Sequence, residues 1–242
     1  MTVKPSIEIC VPNRESTADM SAELSKTLQS LKAPDTEKNY RINVNYSYQQ
    51  PVDANRNQMV KTFLDKPNAE WLLMIDADCC PQRDILKMVE RDKPVVSAIT
   101  AISKGGVPRP VVLKNENGNY RVMGINEFYE KTQEKEVVNV DGVGTGCLLI
   151  KREVLENIEP PWFSFVYNEH GGLELGEDFY FSKKVQQNGF DMYIDTKQLC
   201  SHFRKTDLLE VLRIISEEKR KSVQNFCKEN GLEEYLENER TI

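Results

Sequence analysis

A chain of 242 residues that is 39% hydrophobic and 29% charged is long enough to bury a substantial core and polar enough to be globular. Its net charge of −6 argues against nucleic acid as a main partner, because phosphate backbones are held by clustered Lys and Arg; a nucleotide ligand is still open to it, since a bound cation can supply positive charge locally. No apolar run reaches the roughly 18 residues of a membrane span, and Met1 to Pro12 carries no signal-peptide pattern, so a cytoplasmic chain, at most peripheral to a membrane, is expected. Cys10, Cys79, Cys80, Cys147, Cys200 and Cys227 form no CxxC pair and read as reduced thiols.

Along the chain, Ser6 to Val11 reads as a strand stopped by Pro12-Asn13. Met20, Leu24, Leu28 and Leu31 then keep helical spacing, with Ser16 and Asp19 at capping-box spacing. Arg41 to Tyr48 alternates as a second strand, and Asn55 to Leu64 places Met59, Val60, Phe63 and Leu64 on one helical face. The continuous apolar run Trp71 to Ile75 predicts a strand buried on both faces, as in a parallel sheet. Pro81 is expected to open a helix to about Arg91, and Pro94 to Ile102 to form the next strand. Asn117-Gly118 between Val111–Leu113 and Tyr120–Met123 is a hairpin signal. Val137–Val140 and Gly146–Ile150 are further strands, followed by a short helix at Lys151–Ile158 and an aromatic loop from Trp162 to Leu175. Glu177 to Asn188 is a helix ended by Gly189, Phe190 to Ile194 a strand leading by a short loop to His202, and Asp207 to about Asn230 a last helix. This order implies an α/β fold with a central, mainly parallel sheet. Residues 1–205 are expected to form one domain, with a nucleotide-binding half (1–102) and an acceptor-binding half (103–205), and 206–242 a helical extension that packs on the domain or against a second copy.

Chemistry concentrates where Asp76 and Asp78 leave the buried strand, because ligands of open α/β sheets bind beyond the carboxyl ends of strands. Two adjacent carboxylates repel, and Mg²⁺ or Mn²⁺ would relieve that; a solvated turn with capping aspartates is the other reading. His202 is a candidate third ligand, and an imidazole would favour Mn²⁺, although a lone His is more often a surface or core residue. Glu177 and Asp178 open a helix, where the dipole alone favours acids; the functional reading is a general base toward an acceptor hydroxyl. The glycines of Gly142-Val143-Gly144-Thr145-Gly146 suit close backbone approach to a ligand or a bulged strand start. Gly144, Thr145, Trp162 and Gly176 are the expected acceptor contacts, with the 162–175 loop as a mobile segment.

Taken in order, the opening strand with Cys10-Val11-Pro12-Asn13-Arg14, the strand and DxD of Trp71–Asp78, the segment Gly144 to Arg152, Gly176-Glu177-Asp178-Phe179 and the late His202 resemble the GT-A glycosyltransferases, in particular the family 2-like group, over about 200 residues. The resemblance implies a Rossmann-like GT-A sandwich that moves a sugar from a nucleotide-diphosphate sugar of UDP or GDP type to a glycan, lipid-linked or protein acceptor. It implies that Pro12, Asn13 and Arg14 contact the nucleotide and that Arg56 and Asn57 face the base or ribose. Asp76 and Ala77 would lie by the ribose and metal, Asp78 would bind the metal, and His202 would complete its shell. Asp178 would be the base of an inverting reaction, and Glu177 would orient the acceptor. The usual acidic pair after the second strand is missing, and Asp53 is expected to stand in for it. The Gln-x-x-Arg-Trp motif of processive synthases is absent, which favours single transfers.

Three other readings share parts of the pattern. A strand ending in DxD also describes aspartyl-nucleophile phosphatases, but those want DxDx[TV] on the first strand, and here Cys79-Cys80-Pro81 follows. Sugar-nucleotide pyrophosphorylases want a glycine-rich loop where Pro12-Asn13-Arg14-Glu15 stands. A non-catalytic sugar- or nucleotide-binding module would keep the cleft without turnover.

Overall fold

The computed structural model describes residues 4–12, 22–33, 39–104 and 107–203, with scattered positions between 216 and 229. Two compact units comprise residues 1–102 with 109–203, and 103–108 with 204–242. In the second unit the described positions between 216 and 229 are helical; most of the expected 207–230 helix, like Met20 and the Ser16–Asp19 cap, lies outside the described residues.

In chain order the elements are β1 (Ser6–Pro12), α1 (Ala22–Leu31), β2 (Arg41–Ser47), α2 (Val52–Leu64), β3 (Trp71–Ile75), β4 (Cys79–Pro81), a 3₁₀ helix (Ile85–Arg91), β5 (Val95–Ile99), β6 (Ala101–Lys104) and β7 (Val107–Pro110). There follow β8 (Val112–Glu116), β9 (Asn119–Val122), α3 (Ile125–Thr132), β10 (Val137–Val140), β11 (Gly142–Val143), β12 (Cys147–Lys151), α4 (Arg152–Asn157), β13 (Val166–Tyr167), β14 (Leu173–Leu175), α5 (Glu177–Gln187) and β15 (Met192–His202). The main sheet runs β10-β15-β5-β12-β3-β1-β2, with β4 added to β15. β1, β2, β3, β5 and β15 share one direction, while β12 runs against both its neighbours and β10 closes one edge antiparallel. This mainly parallel sheet, flanked by helices and carrying small extra sheets, is the GT-A type α/β architecture expected from the sequence.

The apolar runs are explained by the core. Along β3, Leu72 and Met74 join one buried cluster and Trp71, Leu73 and Ile75 the other; β12 alternates likewise, with Leu148 and Ile150 opposite Cys147 and Leu149. Both faces are therefore dry, and a polar residue on either face would lose its water without a partner. Leu24, Leu28 and Leu31 of α1 cover one face; Met59, Val60 and Phe63 of α2, Val154 and Leu155 of α4, and Phe181 and Val185 of α5 cover the other. Asn117 (φ 55°) and Gly118 (φ 92°) supply the two left-handed positions of a tight β8–β9 turn, the Asn-Gly signature read from sequence. Gly189 (φ 78°) ends α5.

The structure corrects the sequence reading in four places. Pro81 opens no helix: Cys79–Pro81 is β4, and helical backbone begins at Ile85 as a 3₁₀ turn. His202 does not follow a strand by a loop. β15 runs eleven residues to His202 itself, with a register shift between Asp195 and Leu199 that turns its end onto β4. The 162–175 loop contains the β13–β14 ribbon. Helix α3, on a short amphipathic stretch, is missing from the sequence reading.

Candidate active site

The first half of the site is built by backbone hydrogen bonds at the carboxyl end of β3. Asp76 N donates to Gly146 O (3.0 Å) and Cys79 N to Asp76 O (2.9 Å), which turns the chain so that Asp78 faces outward. β4 then pairs with the end of β15 in the register His202↔Cys79, and Phe203 N donates to Asp78 O at 2.8 Å. His202 Nε2 consequently lies 3.2 Å from Asp78 Oδ2. Its Nδ1 is 2.9 Å from Ala101 O, an atom that can only accept, so Nδ1 carries the hydrogen. In a neutral ring Nε2 then turns a lone pair toward a carboxylate oxygen, and the two repel unless a proton or a cation lies between them. That donor set, with the ring oriented by a backbone carbonyl, fits a divalent cation.

Cys79 stands with Asp78 and His202 as a third candidate ligand, the three donor atoms lying within 4.8 Å of one another. Sequence reasoning missed it, because only the β4–β15 register reveals it. A hydrogen bond with Cys200 and burial push the Cys79 thiol far above its usual range. The thiolate is therefore disfavoured, and Asp78 oxygen with His202 nitrogen form a donor set suited to Mn²⁺ or Mg²⁺.

The second half of the site surrounds Arg56, which is only 2% exposed. A guanidinium so deep must be paired. Its Nη2 donates to Asp76 Oδ1 at 2.8 Å and Oδ2 at 3.2 Å, and Nε lies 3.7 Å from Glu177 Oε1. These anions outweigh desolvation and raise the Arg56 pKa. Nε and Nη1 nonetheless lack a hydrogen-bond partner among the described residues. Asp178, next to Glu177, is pushed up to about 6, first by burial and then by the Glu177 charge; the Phe179 N–H (2.8 Å from Oδ1) and Arg56 pull the other way. Two expectations change here. Arg56, expected by the base or ribose, is buried and spends Nη2 on Asp76. Asp76 has both oxygens on Arg56 and is not in the ligand cluster of Asp78, Cys79 and His202. The signal for Arg56 was in the sequence: it shares the 56, 59, 60, 63 stripe with Met59, Val60 and Phe63, where a charge has to be paired.

The remaining candidates divide. Pro12 is buried at the end of β1, while Ala77 sits between the two aspartates and packs on the core. Asn13 and Arg14 lie outside the described residues. Asn57 uses its amide to pin the chain: Nδ2 donates to Phe163 O (2.7 Å), and Oδ1 accepts from Trp162 N (2.9 Å) and Phe163 N (3.1 Å). Trp162 is core rather than acceptor surface, with Nε1 donating to Leu155 O at 3.0 Å. Gly144 and Thr145 are likewise buried; a Cβ on Gly144 would meet Val111 Cγ1 at 2.6 Å, so packing alone requires glycine there. Gly176 is the N-cap residue of α5, and Asp53 Oδ1 is buried in the first turn of α2 without a partner among the described residues.

No protein-family model matches the sequence, and no curated protein matches it. Solved structures do. A197 from STIV superposes with a TM-score of 0.55 at 18% identity, over 82% of this chain and 86% of that one. GalNAc-T7, crystallised with UDP, GalNAc and Mn²⁺, superposes with a TM-score of 0.52 at 12% identity, over 84% of this chain and 45% of that one. The chain thus spans less than half the length of this second neighbour. At such identities the likeness establishes the fold. Among the described residues no helix is long and apolar enough to cross a membrane.

Proposed function

We propose that the protein is a glycosyltransferase that moves a sugar from a UDP- or GDP-type nucleotide-sugar to an acceptor hydroxyl, with Mn²⁺ or Mg²⁺ held by Asp78 and His202. The reading is carried by one contact, His202 Nε2 at 3.2 Å from Asp78 Oδ2 where the carboxyl end of β15 meets the turn after β3. A neighbour of the same fold, GalNAc-T7, holds UDP, GalNAc and Mn²⁺, which supports this choice of ligands. A bound cation would supply positive charge against the negative charge developing on the leaving diphosphate. Asp76, fixed by Arg56, lies beside the cation site to meet the ribose, with Pro12, Asn13, Arg14 and Ala77 forming the rest of the nucleotide contact. Asp178 takes the proton of the attacking hydroxyl on the opposite face of the sugar, giving inversion and one transfer per encounter. A carboxyl held at about 6 is ionised at neutral pH yet more basic than an exposed aspartate. Glu177 keeps that pKa up and orients the acceptor.

Calorimetric titration of UDP- and GDP-sugars with and without Mn²⁺ tests the reading. Wild type is expected to bind one class of donor only when the cation is present, and Asp78→Ala to lose that binding. Donor affinity and metal dependence that survive in Asp78→Ala would remove the ligand assignment.

A further inference from the structure

Of the four acceptor contacts expected from sequence, Gly144, Thr145 and Trp162 are buried in protein, and Gly176 alone faces a cavity. α5 turns Phe181, Ser182 and Val185 to the core and leaves Phe179, Tyr180, Lys183 and Gln187 on its other face. That face, the Tyr120 region of β9 and the β13–β14 ribbon around Leu173 enclose a cavity of about 510 Å³. Small-molecule sites span roughly 300–1,000 Å³.

We propose that this cavity binds the acceptor, and that the acceptor is a neutral saccharide; the assignment rests on the transferase reading above. Three aromatic rings line it. Tyr120 meets Phe179 edge to face, with centroids 6.4 Å apart and planes at 77°, so the rings form two walls meeting at a corner. Such walls offer flat apolar faces to the C–H faces of a pyranose, while the Tyr180 hydroxyl, the Gln187 amide and Lys183 can bond its hydroxyls. Leu173 on the ribbon is 58% exposed, an apolar side chain left on the rim. The lining carries little net charge: Glu174 offsets one of the two lysines, Lys183 and Lys184, and Lys184 Nζ spends its hydrogen bonds on the carbonyls of Glu159 and Pro161 while lying 5.6 Å from the Tyr180 ring centroid. A phosphate-bearing ligand would want an excess of cations, and a lipid chain would want no amide or ammonium groups in the wall. Position completes the argument. Gly176 on the rim is the N-cap residue of the helix that carries Asp178, and the N–H of wall residue Phe179 donates to Asp178 Oδ1. The cavity therefore begins one residue along α5 from the proposed base, which does not itself line it.

Saturation-transfer NMR with a panel of neutral di- and trisaccharides tests this on wild type, Tyr120→Ala and Gln187→Ala, with Mn²⁺-dependent binding of the UDP- and GDP-sugars measured in the same samples. At least one saccharide is expected to bind wild type, about tenfold or more weakly to Tyr120→Ala and several-fold more weakly to Gln187→Ala. Gln187 is exposed at the end of α5, so its variant keeps the test valid if Tyr120→Ala fails to fold. No saccharide binding to a wild type that binds donor, or binding that neither variant weakens, overturns the cavity assignment and leaves the transferase reading standing. Saccharide binding weakened by the variants in a protein that binds no nucleotide-sugar keeps the cavity as a saccharide site and overturns the transferase reading.

Discussion

Two buried charge clusters lie under the same sheet and differ in how fully their polar atoms are satisfied. Glu8, 2% exposed on β1, accepts from Asn43 Nδ2 (2.7 Å), Asn45 Nδ2 (2.6 Å) and Lys66 Nζ (2.6 Å). Both of its oxygens are used, the donors come from the neighbouring strand and from just past α2, and the cluster ties those elements together. Around Arg56 the accounting is left open: Nε and Nη1 have no hydrogen-bond partner among the described residues, and Asp178 is held at about 6. Folding alone favours the first arrangement. The second persists at a cost, and a ligand that brings its own charge and hydroxyls is the reason to keep it.

The sharpest way to break this contrast is to remove the cation that the open cluster contains. Arg56→Met keeps the side-chain length and leaves the partly exposed Asp76 and Glu177 without their partner, at a cost of about 3 kcal/mol, the low end for a broken buried pair because water reaches both acids, read as a lower urea midpoint. Arg56 also pulls the Asp178 pKa down, so in protein that still folds the acid limb of the transfer profile is expected to move to higher pH. A midpoint within experimental error of wild type would mean that the pairing around Arg56 contributes no stability.

Next in size is the proposed base. Asp178→Asn is expected to keep cation-dependent donor binding and to lower transfer about 10²-fold or more, the scale of lost general-base catalysis. Turnover near the wild-type rate would move the base to another residue. Glu8→Gln supplies the control from the closed cluster. It keeps the shape but puts an NH2, which only donates, where one accepting oxygen stood, and is expected to cost about 1–3 kcal/mol of stability with transfer unchanged. A large loss of transfer there would erase the distinction between the two clusters.

How far each cluster could be read from sequence follows the same division. Local signals carried well: the five apolar residues of β3 ending at Asp76, the Asn117-Gly118 turn, and Gly189 after α5 each depend on near neighbours in the chain. What failed depends on pairings between distant segments. Cys79–Pro81 becomes a strand only because β15 runs past Asp195 to meet it, and that pairing brings His202 to Asp78 and Cys79 across more than a hundred residues. Trp162 looked like a sugar platform because an aromatic in a glycine-containing loop carries no mark of burial; Asn57 pulls it into the core from a helix far upstream. The glycines at 142 and 144 pack against Leu113, Ser182 and Val111, contacts that no spacing encodes.

The smallest expected effect is also the most direct test that the open cluster carries a thermodynamic cost. The Asp178 carboxyl ordinarily titrates near 3.8 and is raised to about 6 in the folded chain. A group raised on folding contributes stability that is complete below its unfolded pKa and is lost as pH rises through its folded one. Above about pH 6 the ionised carboxylate therefore weighs against the fold, while on the proposed mechanism transfer is expected to rise over the same interval. Asp178→Asn removes the charge and is expected to stabilise the protein by about 1–2 kcal/mol at pH 7.5, a figure kept below the full pKa difference because solvent reaches part of the side chain. The advantage should shrink as pH falls toward 5, where wild type has become protonated. A variant no more stable than wild type at pH 7.5 would show that the raised pKa carries no cost, and Asp178 would then belong with Glu8 among the satisfied acids.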